Sequence, residues 1–259
     1  MTGTKRTGIV LQSRDLRLLS ELAVMRIIDR EMAKIVAGFG STTTANTRLL
    51  ELKRSGFLRQ FFIGSIAHGR KAVYTLSAKG TDVVNAKLGG IHRASGRLVV
   101  GDLFVEHQTG INEIYLSFKY RPIPDSTVHL RRWIPFRHPI SEAIKLTPDA
   151  YIEMETTKTV PAMFLEVDRG TEALKVWQQK TAYYLQLAVS GEFAQRFRQQ
   201  QFRVLVVANS DRRLMNIRAA VAKSTDKIFW FTTLENINRD GLWSSVWLRP
   251  AGDQRHSLL

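Results

Sequence analysis

From residue 13 to residue 54 the apolar positions recur every three to four residues, the period of an α-helix. In SRDLRLLSELA (13–23) Leu16, Leu18, Leu19 and Leu22 share one side of a short helix. Ile27 and Ile28 precede Asp29, an N-cap for a second helix over REMAKIVA (30–37), which Gly38-Phe39-Gly40 breaks. Ser41 or Thr42 caps a third, TTTANTRLLELKRSG, where Ala45, Leu49 and Leu52 lie at i, i+4 and i+7 and Gly56 marks the stop. The period then shortens. FLRQFFIG (57–64) and KAVYTLS (71–77) are rich in β-branched and aromatic residues and flank the turn SIAHGR, with a further helix from Ser77. Three helices, a basic hairpin and a fourth helix predict a winged helix-turn-helix over residues 1–96.

Residues 97–259 read as a second domain. RLVVGDLFVEHQTGINEIYLSFKY (97–120) predicts a long helix with Leu103, His107, Ile111, Ile114 and Phe118 on one face and Glu113 beside that stripe. His107 there reads as a core histidine, and Gly101 and Gly110 weaken the helix by about 1 kcal/mol each relative to Ala. The prolines of RPIPDSTVHLRRWIPFRHP (121–139) predict a loop or an edge strand. LTPDAYIEM (146–154) and AMFLEVD (162–168) predict a hairpin, and TEALKVWQQKTAYYLQLAV (171–189) a helix with Leu174, Trp177, Thr181, Tyr184 and Ala188 inward and Lys180 on the margin. A strand (202–210), a basic helix (212–223) and a strand (227–234) follow. This order predicts a mixed α/β (α+β) sheet with helices packed on its faces. Trp243 and Trp247 close the core or pack a homodimer, and the core reading is preferred.

Charge adds a partner. The 259 residues carry 38 Lys and Arg against 23 Asp and Glu, a net of +15. Residues 1–97 hold 17 basic and 6 acidic side chains, a net of +11, whereas residues 98–259 hold 21 and 17, a net of +4. A basic first third joined to a near-balanced remainder points to a polyanion-binding module. Thr43, Thr44, Thr47 and Arg48 fall off the apolar face of the third helix, with Asn46 at its border, and such donors suit a major groove. Lys53, Arg54, Arg70 and Lys71 are expected along phosphates of double-stranded DNA, where contacts confer affinity rather than sequence choice. The chain has no cysteine, and no apolar run approaches ~18 residues, so a soluble cytoplasmic protein with no membrane partner is expected.

One short strand carries the candidate chemistry. Glu166 and Asp168 end AMFLEVD on the same face, because strand side chains alternate, and Asp149 begins the neighbouring strand. Like charges on an otherwise apolar strand need something positive between them. A divalent cation held by Asp149, Glu166 and Asp168 is one solution, since hard cations take carboxylate oxygens. Neutralisation by Arg169 and Lys180 is the other.

These residues carry a resemblance. Pro148-Asp149, 16 residues, then Glu166-x-Asp168 between a hairpin and a helix resembles a PD-(D/E)xK nuclease core. The order of winged helix, a long helix with Asn112-Glu113, LTPDA, FLEVDRGTE, a helix with Lys180 and Tyr184, and IFWFTTL is similar to the replication-relaxation family of plasmids and integrative elements, over residues 10–240. The resemblance implies a DNA-binding protein of mobile-element replication or transfer with a nuclease-like second domain, working beside a relaxase or other replication machinery. It implies that Asp149 and Glu166 hold Mg²⁺ or Mn²⁺ for an endonuclease or nickase, with Glu113 the acid from the preceding helix. The lysine expected two residues after Glu166 is Asp168 here. Lys180, or Lys175, then supplies the ammonium, or the scaffold serves a DNA-binding regulator or accessory factor that cuts nothing.

Overall fold

The computed structural model describes residues 9–64, 69–88 and 101–259. The chain divides into two compact units, Met1–Asn112 and Glu113–Leu259. The expected boundary at 96/97, residues 97–100 of the long helix, and Ser65 to His68 of the SIAHGR turn lie outside the described residues.

In the first unit, helices α1 (Ser13–Met25), α2 (Arg30–Ala37) and α3 (Thr42–Arg54) precede strands β1 (Leu58–Ile63) and β2 (Lys71–Leu76) and helix α4 (Ala78–Leu88). The ends follow the local chemistry. Asp29 Oδ1 accepts from the Met32 amide at 2.8 Å, and Ser41, rather than Thr42, accepts from the Thr44 amide at 3.1 Å. Gly38 closes α2 in the left-handed conformation that favours glycine. β1 and β2 pair antiparallel from Leu58↔Leu76 to Ile63↔Lys71. Ala45, Leu49 and Leu52 are buried as their spacing requires.

Helix α5 (Asp102–Lys119) crosses from one unit to the other. Its buried face differs from the expected stripe. Leu103 is 73% exposed, and Val105, Gln108 and Asn112 turn inward instead. The face is chosen by its partners: Val105 packs with Ile27 and Val73, and the Asn112 side chain donates to the Ile27 carbonyl at 2.8 Å.

The second unit is built on a seven-stranded mixed sheet. Its strands are β3 (His129–Pro135), β4 (Ala150–Glu155), β5 (Ala162–Asp168), β6 (Arg203–Ala208), β7 (Phe229–Thr233), β8 (Trp247–Leu248) and β9 (Arg255–His256), in that spatial order. β5, β6 and β7 run parallel and the other neighbours antiparallel. Helices α6 (Leu174–Val189) and α7 (Glu192–Phe197) connect β5 to β6, α8 (Asp211–Ala222) connects β6 to β7, and α9 (Leu234–Asp240) follows β7. The α/β fold expected from the element order is therefore present.

Phe164, Val204, Val206, Phe229 and Phe231 project from one sheet face onto Trp177, Tyr184 and Leu187 of α6 and Leu214, Ile217 and Val221 of α8. On α6, Leu174 is 40% exposed and Ala188 is exposed, while Leu187 is buried, so the inward stripe runs Trp177–Thr181–Tyr184–Leu187. Tyr115 and Phe118 meet Trp133, and Phe118 meets Trp243 edge-on at 5.2 Å. Trp247 is fully buried, and Trp243 is 8% exposed, so both tryptophans of the tail belong to the core. Among the described residues no helix is long and apolar enough to cross a membrane.

Candidate functional site

The carboxyl end of β5 is where the two acids lie. In a sheet with parallel strands, helix N-termini and turn amides gather at that end, which favours buried negative charge. Glu166 and Asp168 project toward α6 because Phe164, two residues earlier, already faces that helix. Trp177, Lys180 and Tyr184, spaced i, i+3 and i+7 along α6, present three donors in a row. Tyr184 Oη donates to Glu166 Oε1 at 2.7 Å, and Lys180 Nζ to Glu166 Oε2 at 2.9 Å. Trp177 Nε1 donates to Asp168 Oδ2 at 2.9 Å.

Asp168 has a further partner that its own strand does not supply. Arg213, in the first turn of α8, donates from Nε to Oδ1 at 2.7 Å and from Nη2 to Oδ2 at 2.8 Å, and Gly170 N adds a bond to Oδ1 at 2.7 Å. The tight turn needs a glycine there, since Gly170 has φ +84°. Burial by itself would push the Asp168 carboxyl up, but the Arg213 fork, the Trp177 indole and the Gly170 amide together hold it below the usual range. The carbonyl of Arg169, the neighbour expected to neutralise the pair, accepts from the Asn209 side chain at 2.9 Å.

Asp149 stands where the sequence puts it. Its amide donates to the Leu165 carbonyl at 3.0 Å, and its Oδ2 accepts from the Val167 amide at 2.7 Å, so it is bolted to β5 beside Glu166. Burial pushes Glu166 up to about 7 against the pull of the Lys180 ammonium, and Asp149 adds to the rise. Burial opposes the Lys180 charge, yet Glu166 and Glu172 more than offset it and raise the ammonium. Lys180 lies between these two acids, 2.9 Å from Glu166 and 2.8 Å from Glu172. Glu113 is not gathered into this cluster by any bond of its own; its Oε2 accepts from Asn238 on α9 at 3.4 Å. Lys175 is exposed on α6.

This donor set tests the expected metal site. Both Asp168 oxygens are taken by N–H donors, both Glu166 oxygens accept from α6, and one Asp149 oxygen is committed to β5. Among the described residues no three Asp, Glu or His side chains could hold a cation together. With an ammonium on Glu166 and a guanidinium on Asp168, a three-carboxylate Mg²⁺ site does not fit this arrangement. Sequence inspection missed Arg213, Glu172 and the indole N–H. The available signal for Arg213 was its place two residues into the helix that follows the parallel neighbour of β5.

In the first unit Thr43, Thr44, Asn46 and Thr47 are all exposed on α3, and so are Lys53, Arg54, Arg70 and Lys71. Lys53 Nζ donates to Gln60 at 2.8 Å, and Lys71 Nζ lies 2.5 Å from Asp29. A cleft of about 430 Å³ is lined by Asn46, Phe62, Arg70, Lys71, Arg30 and Tyr74, among others. Arg48 departs from its expected role. It is 13% exposed, grips the fully buried Asp15 from Nε at 2.9 Å and Nη2 at 2.5 Å, and pairs with Glu51 at 2.7 Å. A guanidinium so engaged fastens α3 to α1 and is not offered to a phosphate. Arg48→Ala is expected to destabilise the first unit by about 1.5–3 kcal/mol, the range for hydrogen bonds to charged groups, and thermal unfolding followed by circular dichroism checks it.

The profile of the replication-relaxation family matches residues 14–200. The chain belongs to this family. The match takes in α1 to α3, the hairpin, Asp149, Glu166, Asp168 and Lys180, and it ends before Arg213. No curated protein and no solved structure matches the chain. Membership in the replication-relaxation family ties the protein to replication or relaxation of mobile elements.

Proposed function

We propose that this protein is a DNA-binding accessory factor of mobile-element replication or transfer, whose first unit is a winged helix and whose second unit is a nuclease-like scaffold that does not cut. The observation that carries the non-cleaving part is the bidentate Arg213–Asp168 pair at the position of the expected lysine. A group that orients an attacking water must be free to reach the phosphodiester. Here that position holds an acid whose two oxygens are already filled, and Lys180 is held between two carboxylates.

What supports DNA binding is the exposed run Thr43, Thr44, Asn46 and Thr47 at the start of α3. The positive end of the helix dipole, short hydroxyls and an amide suit base edges and phosphates. Arg54 and Arg70 would pair with phosphates and carry no sequence information.

The test has two arms. Asn46→Ala with Thr47→Ala is expected to weaken duplex binding by about 1–3 kcal/mol per lost base contact. Arg54→Ala with Arg70→Ala is expected to lower the slope of log K against log salt by about 1 per residue. Fluorescence anisotropy on a labelled duplex reads both, and unchanged affinity in both variants would sink the interface. In the second arm, supercoiled plasmid incubated with the protein and Mg²⁺ or Mn²⁺ is expected to stay supercoiled. Nicking that Asp149→Ala and Glu166→Ala both abolish would restore the endonuclease reading.

A further inference from the structure

The near-balanced second part of the chain conceals a concentrated charge. Residues 119–138 carry five basic side chains, Lys119, Arg121, Arg131, Arg132 and Arg137, against one acid, Asp125, a net of +4. That equals the whole surplus of residues 98–259, so the rest of that stretch sums to zero. The segment leads into and out of β3, the outermost strand of the sheet.

The strand is shaped to bring two of these arginines together. Its pairing with β4 shifts register between Leu130 and Arg132, a bulge centred on Arg131. In a regular strand consecutive side chains point to opposite faces, and a bulge re-aims one of them. Arg131 and Arg132 thereby reach the same carboxylate: Arg132 Nη1 lies 3.2 Å from Glu153 Oε1, and Arg131 Nε lies 3.6 Å from Glu153 Oε2. Glu153 is 1% exposed and also accepts from Tyr151 Oη at 2.9 Å, whereas the two arginines are 45% and 44% exposed. One buried negative charge therefore anchors two half-exposed guanidiniums and neutralises one of them. Each guanidinium has five N–H donors, so most of the donors are left for an outside acceptor.

Along the same edge, Arg137 and His138 are exposed, as is Arg121 in the loop before the strand. Trp133, half-buried, is braced by Tyr115 at 4.9 Å, and Glu155 stands near His129 at 3.4 Å. Charged side chains on an edge strand also deter strand-to-strand association. That purpose is served by one or two solvated lysines; it does not call for a buried acid holding two arginines at one point. Two anchored, half-exposed guanidiniums flanked by exposed arginines suit the repeating oxygens of a phosphodiester backbone. At ~3.3 Å per residue the seven-residue strand is roughly 23 Å long, comparable with the axial rise of about six or seven nucleotides.

We propose that the β3 edge is a second DNA-backbone-binding surface, reading phosphates without sequence choice. The proposal rests on the reading of the protein as a DNA-binding factor, but on different residues from α3.

Full-length protein, titrated with labelled mixed-sequence duplex and single-stranded oligonucleotides across a range of KCl, separates the two surfaces. Arg121→Gln with Arg137→Gln removes charges that no buried acid depends on. Arg131→Gln with Arg132→Gln and Glu153→Gln removes the pair together with its anchor, so no carboxylate is left buried and unpaired. Each variant is expected to bind several-fold more weakly at low salt, with a salt slope reduced by about 1–2 for two lost contacts. The oligonucleotide that shows the reduction identifies the form of DNA on the edge. Asn46→Ala with Thr47→Ala is expected to leave this slope intact. Wild-type slopes in both edge variants, with binding lost in the α3 variant, would overturn the edge and spare α3. Reduced slopes in the edge variants, with binding untouched in the α3 variant, would do the reverse. Wild-type protein that binds neither oligonucleotide would overturn both.

Discussion

Arg213→Ala should destabilise the second unit by about 3–5 kcal/mol, the cost of leaving a buried charge without its partner. Asp168 has no exposed side-chain surface, and Arg213 supplies two of the four N–H donors on its oxygens. The Trp177 indole and the Gly170 amide remain, but neither carries charge. All five tryptophans of the chain lie between residues 133 and 247, so tryptophan fluorescence in urea reports this unit alone. The midpoint should fall with little change in slope. The pH dependence carries the same information. Because the Asp168 carboxyl is held low in the folded state, its contribution is present above the unfolded value of about 3.9 and is lost as pH falls through the folded one. In Arg213→Ala the acid-unfolding midpoint should therefore move to higher pH. A variant as stable as wild type at neutral pH would show that Asp168 does not need the guanidinium and is available as a free carboxylate at that position.

Lys180→Met should cost a similar amount, about 3–5 kcal/mol at pH 8, and much less at pH 5. The asymmetry comes from Glu166. Its folded value is pushed up to about 7 by burial, so its neutral form is favoured inside, and ionisation on raising the pH works against folding. A raised carboxyl contributes stability that is present below the unfolded value near 4.5 and is lost as pH rises through the folded value. Removing the ammonium takes away what restrains that rise, so the loss in the variant should extend to higher pH than in wild type. Glu166→Gln with Lys180→Met should recover much of the loss and flatten its pH dependence, since neither partner then brings a charge into the core. Equal destabilisation of the single variant at pH 5 and pH 8 would mean that Glu166 stays ionised through the whole range.

Both predictions treat the carboxylates as members of an internal charge network. Residue order alone left two solutions open for Glu166 and Asp168, a divalent cation or neighbouring cations. In three dimensions the partners that meet these acids are side-chain cations: Lys180 lies 2.9 Å from Glu166, and Arg213 lies 2.7 Å from Asp168. Lys180 was within reach of sequence reasoning because it shares a helix with Trp177 and Tyr184 at helical spacing. Arg213 was not, because it lies 45 residues beyond Asp168 and meets it only when β6 pairs parallel to β5. Arg48 shows the converse. Its position off the apolar stripe of α3 correctly excludes it from the hydrophobic core, yet nothing local says that a buried Asp15 33 residues earlier will claim it.

Periodicity and end signals determined most of the elements: α2 falls on residues 30–37 and β5 on 162–168 as expected, and β4 ends one residue past its expected limit. These features are local, set by side-chain spacing and by caps such as Asp29, and a linear reading captures them. Short elements such as α7, with six residues, and the two-residue strands β8 and β9 carry too few positions for a period to register. The total charge and its bias toward the first third were also plain in the sequence. Which charges face outward was settled only by the tertiary structure, through a bulge at Arg131, a buried Glu153 and a helix that brings Lys180 over a strand end. Burial and pairing depend on what the fold places within a few ångströms, and sequence distance does not encode that.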